Sequence, residues 1–507
     1  MEGTFWAIVP TLIAVIFALI TKEVFISLFI GIFTGAMIIA GGNPIVALSE
    51  LFNIMAAKTG ADFVVTNGEA SIAGLGNAGI LIFILELGII VALMNKSGGT
   101  AAFGNMMIRR IKSEKSALMT TTGLGCLIFM DDYFNRLAVG SIMRPVADKY
   151  GISRVKLAYI IGSVSVSICI LIPISSWASA ISGNIGEGLG EGGNAFDIYL
   201  STLMCNFYPI LTLLLLFISP LLNIELIKKP KSEAPVTDAE QAEQSTKGKP
   251  IDLILPIATL ILLSIVFMFF SPYSSETTLV MSGALTILLC LVLYLPRRIM
   301  SIKEFTGCFS SGFKSIVDVI IILVFAWTLT GVCEKLEVGA FIRGLTAGMG
   351  DAQTLLPAIL FVAAMGTAFS TGTAWGTFGM LVPLTVPMFE AYSTLQILSI
   401  AAVLSGSVFG NQVSPISDST LLASKVCECD HMSLIKSQLP AALMIAAIAF
   451  CAFLVSGLTS KIWLGWIVAV VLFVALILVA YTKKRSHNKE RRTKTTGDKQ
   501  AVSLIKR

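Results

Sequence analysis

A run of polar side chains interrupts an apolar segment near the carboxyl end of the chain. Within Thr394 to Ser424 stands Gly410-Asn411-Gln412-Val413-Ser414-Pro415-Ile416-Ser417-Asp418-Ser419-Thr420. Proline removes a backbone donor and frees carbonyl oxygens one turn earlier, so a helix unwound here would expose oxygen ligands. Hydroxyl and amide oxygens with one carboxylate suit a small hard cation. The run therefore predicts a cation or substrate site with the ligands Asn411, Ser414, Ser417, Asp418 and Thr420.

A shorter interruption, Pro173-Ile174-Ser175-Ser176, lies within the apolar stretch Lys156 to Ser182. Its proline can break a helix in the same way, and the hydroxyls of Ser175 and Ser176 would add neutral ligands. A proline kink whose hydroxyls satisfy the local backbone explains this first interruption equally well. In the later run Asp418 favours a functional role, because a carboxylate inside a membrane segment is costly without one.

Two further segments are predicted to be re-entrant hairpins. In the first, Ser116 to Met130 leads into Asp131, Asp132 and Asn135, and the chain is basic again by Arg144. A segment that leaves and rejoins one side, with carboxylates at its turn, is typical of such a hairpin. Two short helices joined by an external loop are the alternative.

The second hairpin is predicted over Leu355 to Glu390, with Ser370-Thr371-Gly372-Thr373-Ala374-Trp375-Gly376-Thr377 at its turn. The glycines would let backbone groups approach a ligand closely, so Thr373 joins the predicted binding residues. A small-residue packing face between helices is the alternative.

Two more carboxylates, Glu86 and Asp318, lie in apolar surroundings. A carboxyl group removed from water favours its neutral form, so each could carry a proton, as could Asp131 and Asp132. Asp318 has an alternative role as partner of Lys314, four residues earlier.

The composition places these residues in a membrane. Hydrophobic residues make up 55% of the 507 positions and charged residues 13%, which is more apolar surface than a soluble core can hide. Apolar runs that could cross roughly 30 Å of hydrocarbon predict about eleven spans plus the two hairpins. We expect an all-α polytopic protein in a lipid bilayer, with no cofactor and no nucleic-acid partner; a homodimer is a further expectation.

The loop charges predict the orientation. Basic residues concentrate in Lys96 to Lys115, in Arg144 to Lys156 and in the tail from Lys483, whereas Gly41 to Asn77 and Gly183 to Asp197 carry few. Positively charged loops face the cytoplasm. We therefore expect a protein of the cytoplasmic membrane whose N-terminus lies outside the cell and whose C-terminus lies in the cytoplasm.

The chain also repeats itself. Gly162-Ser163-Val164 followed by Pro173-Ile174-Ser175-Ser176 recurs as Gly406-Ser407-Val408 followed by Pro415-Ile416-Ser417-Asp418. The loop charges start the two halves from opposite sides, which predicts inverted repeats around a central site. We predict a first repeat over 1–224, a cytoplasmic linker over 225–250, an inverted second repeat over 251–457, an extra transmembrane helix over 458–482 and a basic cytoplasmic tail over 483–507.

These motifs resemble those of the NhaC-type Na⁺/H⁺ antiporter family. The resemblance covers nearly the whole chain and is carried by Gly410 to Thr420, Asp430-His431, Gln438-Leu439-Pro440, Met130-Asp131-Asp132-Tyr133, Met143-Arg144-Pro145 and Lys156-Leu157-Ala158-Tyr159. It implies exchange of Na⁺ for protons, with Na⁺ at Ser414, Ser417 and Asp418, although the family also includes members that move organic acids or amino acids.

One departure from the family pattern bears on the substrate. Many members carry Gly-Asp-His where this chain has Gly410-Asn411-Gln412. The loss of an acid and an imidazole removes two titratable groups, so an organic substrate held by amides becomes a rival to simple cation exchange.

Other classes of protein have less support. The chain has no G-x-x-x-x-G-K-S/T phosphate-binding motif. Gly348-Met349-Gly350-Asp351 matches an intramembrane protease motif but falls in a predicted outer loop, where a turn is expected. Cys427-Glu428-Cys429-Asp430-His431 is interpreted as a reduced cytosolic loop, with a metal site as the alternative. Duplicated, inverted breaks favour a carrier over a channel.

Overall fold

Helices make up nearly all of the computed structural model of this chain. It describes residues 5–21, 23–60, 62–66, 69–108, 111–189, 193–224, 248–270, 275–338, 350–415 and 417–482, together with 341, 344 and 348. Most of the predicted linker (225–247) and the predicted tail (483–507) lie outside the described residues. One antiparallel pair, β1 (Asp62–Thr66) with β2 (Glu69–Gly74), was not anticipated.

The helices of the first half are α1 (Phe5–Thr21), α2 (Val24–Ile39), α3 (Pro44–Thr59), α4 (Gly76–Lys96), α5 (Gly99–Ile108), α6 (Glu114–Leu127), α7 (Asp132–Lys149), α8 (Arg154–Cys169), α9 (Ser176–Leu189), α10 (Ala195–Thr202) and α11 (Phe207–Leu221). The helices of the second half are α12 (Ile251–Phe270), α13 (Ser275–Tyr294), α14 (Ile302–Lys335), α15 (Leu356–Thr371), α16 (Ala374–Thr385), α17 (Thr394–Val413), α18 (Asp418–Val426), α19 (His431–Thr459) and α20 (Ile462–Thr482).

Local sequence explains where many of these helices begin. A side-chain oxygen accepts a hydrogen bond from a backbone N–H of the first turn, which satisfies a group that the helix itself leaves unpaired. At α14 the bond is reciprocal, since Glu304 also accepts from the backbone of Ser301. The capping residues are Asn43, Ser113, Asp131, Ser153, Asn194, Ser301, Thr373, Ser393, Ser417 and Asp430.

The helices are long and apolar enough for a polytopic membrane protein. Among the described residues, seven could cross a membrane, or up to nine if the bent pairs α2/α3 and α10/α11 each count as one span. The predicted number of about eleven is higher, partly because α8 and α9, with 16 and 14 residues, stop at a break instead of forming one span.

The loops lie at two ends of the molecule, and the loops at each end contact one another. At the end that we call the basic end, Arg144 and Arg154 both pair with Glu428, and Tyr150 donates to the carbonyl oxygen of Ile111 at 2.9 Å. At the opposite end, Lys58 pairs with Glu187 at 2.7 Å and with Glu334 at 2.8 Å, and Tyr392 accepts from the backbone of Asn194 at 2.8 Å. Loops that the charge pattern assigns to the same side thus share contacts.

Both hairpins are present and enter from opposite ends. In α6 and α7 the outer ends meet at the basic end, where Ile111 bonds Tyr150, while the tip at Met130 is buried. In α15 and α16 the left-handed Gly372, at φ +74°, makes the tip, and the helix pair returns to the opposite end, where Val386 lies against Gly188. The prediction of two re-entrant hairpins is confirmed.

The two broken helices run in opposite directions. From α8 to α9 the chain goes from the basic end, at Arg154, to the opposite end, at Glu187. From α17 to α18 it returns to the basic end, where Val426 lies against Gly140 of α7. The first hairpin thus contacts α18, the second half of the broken helix in the second repeat. The second hairpin contacts α9, the second half of the broken helix in the first repeat. The inverted repeats predicted from Pro173 and Pro415 are confirmed.

Close backbone packing fixes the second hairpin on α17. A Cβ atom on Gly406 would lie 2.4 Å from the carbonyl oxygen of Phe361, and one on Gly410 would lie 2.6 Å from the backbone nitrogen of Phe369. Only glycine allows the two helices to approach this closely. The packing brings the end of α15 to the break that follows α17.

Candidate functional site

The first break joins α8 to α9 and is closed by its own side chains. Ser175 donates to the carbonyl oxygen of Cys169 at 2.6 Å and accepts from the N–H of Ala178 at 3.1 Å. Tyr199 donates to the carbonyl oxygen of Ile170 at 3.0 Å. In this conformation Ser175 therefore satisfies the backbone, as the kink interpretation expects, and also caps the start of α9.

The tip of the first hairpin docks on this break. Asp131 caps α7 by accepting from the N–H of Phe134 at 3.0 Å, and its other oxygen accepts from the hydroxyl of Ser176 at 3.4 Å. The N–H of Ser176 donates to the carbonyl oxygen of Met130 at 3.0 Å. Asp131 is half-buried, and both of its carboxylate oxygens accept hydrogen bonds where the hairpin tip meets the break.

Asp132 is neutralised, unlike its neighbour. It pairs with Arg136 at 2.5 Å, four residues later on α7, and accepts from the indole N–H of Trp177 at 3.1 Å. The side chains of Asp132 and Arg136 are each 1% exposed. A buried carboxylate with a bonded guanidinium partner is a structural ion pair.

Oxygen atoms cluster at the second break, between α17 and α18. The amide oxygen of Asn411 accepts from the hydroxyls of Ser417 at 2.7 Å and Ser419 at 3.1 Å, and these hydroxyls lie 3.0 Å apart. Thr420 donates to the carbonyl oxygen of Asn411 at 3.1 Å. Helix α18 begins at Asp418, between the two serines, although its side chain lies outside what the structure describes.

Ser414 and Thr373 lie on the two sides of the second hairpin tip. Ser414 donates to the carbonyl oxygen of Phe369 at 2.6 Å, which ties the break to the end of α15. Thr373 caps α16 by accepting from the N–H of Gly376 at 3.4 Å. The tip of the second hairpin thus contacts the break between α17 and α18, just as the tip of the first hairpin contacts the break between α8 and α9.

Gln412 holds the break in place. Its amide accepts from the hydroxyl of Tyr208 at 2.7 Å and donates to the hydroxyl of Ser163 at 2.6 Å, and Gln438 donates to its backbone carbonyl oxygen at 2.6 Å. These partners lie on α11, α8 and α19, so Gln412 connects the two repeats.

We call the two breaks and the hairpin tips that contact them the centre of the molecule. Two carboxylates that the sequence analysis selected do not lie there. Glu86 is 9% exposed in α4 and faces α13, where a Cβ atom on Gly283 would lie 2.1 Å from its carboxyl oxygen. Asp318 is exposed on the surface of α14. Of the predicted site residues with described side chains, the structure groups Asp131, Asp132, Ser175 and Ser176 at one break and Asn411, Ser414, Ser417, Thr420 and Thr373 at the other.

The site also includes residues that the sequence analysis did not select. Ser419 stands next to Asp418 in the same polar run and could have been chosen on that ground. Arg136 lies four residues after Asp132, a spacing that places both on one helix face. Ser163 belongs to the repeated Gly-Ser-Val motif, but neither it nor Tyr208 could be assigned to the site, because only the packing of α11 and α8 on α17 brings them to Gln412.

The centre carries more acids than bases. Across the hairpin turns and breaks (125–140, 163–184, 365–380 and 405–424) the charged residues in the sequence are Asp131, Asp132, Arg136 and Asp418. Three acids against one base give a charge of −2 when all are ionised. A membrane interior does not tolerate such an excess without cations or protons to offset it.

Residues 168–458, more than half of the chain, match the family described as the Na⁺/H⁺ antiporter family. The chain belongs to that family. It is a multi-pass membrane protein and a secondary transporter of the antiporter type, and the family to which it belongs consists of transporters, which are not enzymes.

Individual proteins are also similar to this chain, either in sequence or in fold. A Haemophilus influenzae protein, uncharacterized in function, is 32% identical over 96% of both chains. The malate-2H⁺/Na⁺-lactate antiporter of Bacillus subtilis is 29% identical over 27% of this chain and 30% of its own length. MtrF of Neisseria gonorrhoeae, whose structure is described with a class of antimetabolite efflux pumps, shares the fold at a TM-score of 0.57 and 15% identity, covering 83% of this chain and 85% of that one.

Proposed function

We propose that this antiporter exchanges Na⁺ for protons across the cytoplasmic membrane, with its basic end and C-terminus in the cytoplasm. The observation that carries the proposal is the charge of −2 at a centre where amide and hydroxyl oxygens cluster around the start of α18. Such oxygens are ligands for a hard cation, and the excess acids need either a cation or a proton.

Na⁺ would bind at the second break. Asn411, Ser417 and Ser419 now hydrogen-bond to one another, and rotation of the two hydroxyl hydrogens would turn all three oxygens toward a cation. Asp418, at the same helix start, would supply the negative charge. Asp131 would be the second carboxylate that binds Na⁺ or a proton, because Asp132 is already paired with Arg136.

The fluxes of Na⁺ and protons are coupled if the two ions compete for these carboxylates. A site that holds Na⁺ is neutralised, and so is a site whose carboxyl group is protonated, whereas an empty ionised site leaves a charge in a low-dielectric interior. Only the two neutralised forms would switch access between the two sides, as inverted repeats allow. Each cycle would then carry Na⁺ one way and protons the other.

A second function, coupled transport of a small organic acid, is favoured by a specific observation. Asn411 and Gln412 stand where many family members have an acid and an imidazole, and a relative of this chain is named for exchange of malate and lactate with protons and Na⁺. A carboxylate-bearing solute would move together with, or against, the same cations.

Transport in everted membrane vesicles tests the proposal. We expect Na⁺, added to vesicles that hold a respiration-driven ΔpH, to dissipate that ΔpH in proportion to the amount of protein, and K⁺ to do so less. The ΔpH is followed with a fluorescent weak base, and vesicles without the protein are the control. A response to lactate or malate without any response to Na⁺ would transfer the assignment to the organic-acid function.

A further inference from the structure

The backbone carbonyl oxygens that each proline frees are bonded by the same scheme in both breaks. A proline lacks an N–H, so the carbonyl oxygen four residues before it loses its helical donor. Once the helix ends, the carbonyl oxygen three residues before the proline needs a donor as well. At Pro173 these oxygens belong to Cys169 and Ile170, and at Pro415 they belong to Asn411 and Gln412. All four accept hydrogen bonds from side chains.

The oxygen four residues before each proline accepts from a hydroxyl that follows the break. Ser175 donates to the carbonyl oxygen of Cys169 at 2.6 Å. Thr420 donates to the carbonyl oxygen of Asn411 at 3.1 Å and also lies 3.2 Å from that of Gln412. Each hydroxyl stands at the start of the helix that resumes after the break, so this bond is local.

The oxygen three residues before each proline accepts from another helix. Tyr199 of α10 donates its hydroxyl hydrogen to the carbonyl oxygen of Ile170 at 3.0 Å. Gln438 of α19 donates an amide N–H to the carbonyl oxygen of Gln412 at 2.6 Å. Both donors are buried, with 0% and 2% of their surface exposed. Since α10 follows α9 and α19 follows α18, the two repeats use equivalent helices to hold equivalent oxygens.

These two bonds fix the backbone beside the oxygens that the proposed exchange uses. Gln412 follows Asn411, whose amide oxygen accepts from two of the hydroxyls proposed to bind Na⁺. The first break carries Ser176, whose hydroxyl donates to Asp131 at 3.4 Å. A site binds a cation more tightly when its ligands are held in place beforehand, because binding then costs less ordering of the protein.

We propose that Tyr199 and Gln438 are paired positioning residues that hold the two breaks in the geometry that binds cations, a step that rests on the proposed exchange of Na⁺ for protons. Each acts through a backbone carbonyl oxygen and contributes no ligand to the ion. Alternating access requires both repeats, so a donor in each keeps both breaks ordered through the cycle. Loss of either donor removes a buried hydrogen bond and lets that break adopt other conformations.

Transport kinetics in everted vesicles tests this role. Tyr199→Phe removes only a hydroxyl, and Gln438→Leu removes the amide. We expect the Na⁺ concentration for half-maximal dissipation of the ΔpH to rise roughly fivefold in each variant, the equivalent of about one buried hydrogen bond. The maximum rate should stay within about twofold of wild type, because the carboxylates that bind Na⁺ and protons are unchanged. A merely structural role would lower the yield of folded protein and leave the half-maximal Na⁺ concentration unchanged.

Two matched controls remove the same kinds of bond outside the centre. Tyr150→Phe removes a hydroxyl that donates to the carbonyl oxygen of Ile111 at 2.9 Å. Gln396→Leu removes a buried amide that donates to the carbonyl oxygen of Val386 at 2.9 Å. We expect both controls to keep the wild-type half-maximal Na⁺ concentration, even where the loss of a buried bond lowers the thermal midpoint. Equal rises in the controls and the test variants would overturn the inference.

Deuterium uptake by the backbone amides of purified, Na⁺-free protein reports the hold on each break without relying on transport. We expect Gln438→Leu to speed uptake in residues 410–421 and Tyr199→Phe to speed it in residues 168–178, each leaving the other break as in wild type. Unchanged uptake, or an unchanged half-maximal Na⁺ concentration in folded variants, would overturn the inference. A wild type that does not respond to Na⁺ would overturn the proposed exchange instead, and deuterium uptake would still decide whether the two side chains hold the breaks.

Discussion

Replacing Asp418 by asparagine is expected to remove Na⁺-dependent transport while the protein stays folded. Asparagine keeps the size of the side chain at the start of α18 and removes only its charge. A neutral amide binds a cation more weakly than a carboxylate does and cannot exchange a proton, so uptake of radioactive Na⁺ driven by a pH gradient should fall roughly 10- to 100-fold.

Asp430→Asn is the matched control for this variant. Asp430 begins α19 in an exposed position and accepts from the N–H of Ser433 at 2.7 Å. Hydrogen bonds from Ser433 hold the pKa of Asp430 below its usual value, so this residue is also ionised at neutral pH. Since asparagine caps helices as well as aspartate does, we expect near wild-type uptake. Equal uptake in both variants would remove Asp418 from the mechanism.

Replacing Arg136 by methionine is expected to destabilise the whole first hairpin. The change would leave the carboxylate of Asp132 buried, with the indole of Trp177 as its one remaining hydrogen-bond partner among the residues that the structure describes. Removing one partner of a buried ion pair costs about 3–5 kcal/mol. The thermal midpoint of the protein purified in detergent should drop markedly, and the yield of folded protein should fall with it.

Two further variants separate the buried pair from a general effect of charge. Arg144→Met breaks a pair with Glu428 that is 25% and 34% exposed, which is worth only about 0–1 kcal/mol. The double variant Asp132→Leu/Arg136→Met removes both buried charges and should recover much of the lost stability. If Arg136→Met and Arg144→Met lower the midpoint equally, the buried pair has no special role.

The breaks and hairpins could be predicted because their causes are local. Pro173 and Pro415 each prevent a continuous helix, and Ser175 and Ser417 then cap the helix that restarts after each break. Asp131 caps α7 in the same way, so the turn of the first hairpin is encoded within a few residues. The inversion followed from loop charge, which acts independently of side-chain packing.

Other features depend on which helices meet, and a single sequence does not encode that locally. Gln412 binds Tyr208 and Ser163, which are 204 and 249 residues away along the chain. Asp318 and Glu86 both have apolar neighbours in sequence, yet one is exposed on α14 and the other faces α13. Hydrophobicity places a residue within a span but does not say which neighbour it faces.

Proton release on binding of Na⁺ is the most direct test of competition at the centre. Purified protein in weakly buffered detergent solution receives NaCl, with choline chloride as the control, while a pH indicator records the protons. We predict saturable acidification, together with an apparent Na⁺ affinity that falls as the pH is lowered, because protonated carboxyl groups must lose their protons first. Na⁺ binding that releases no protons and is independent of pH would contradict the mechanism.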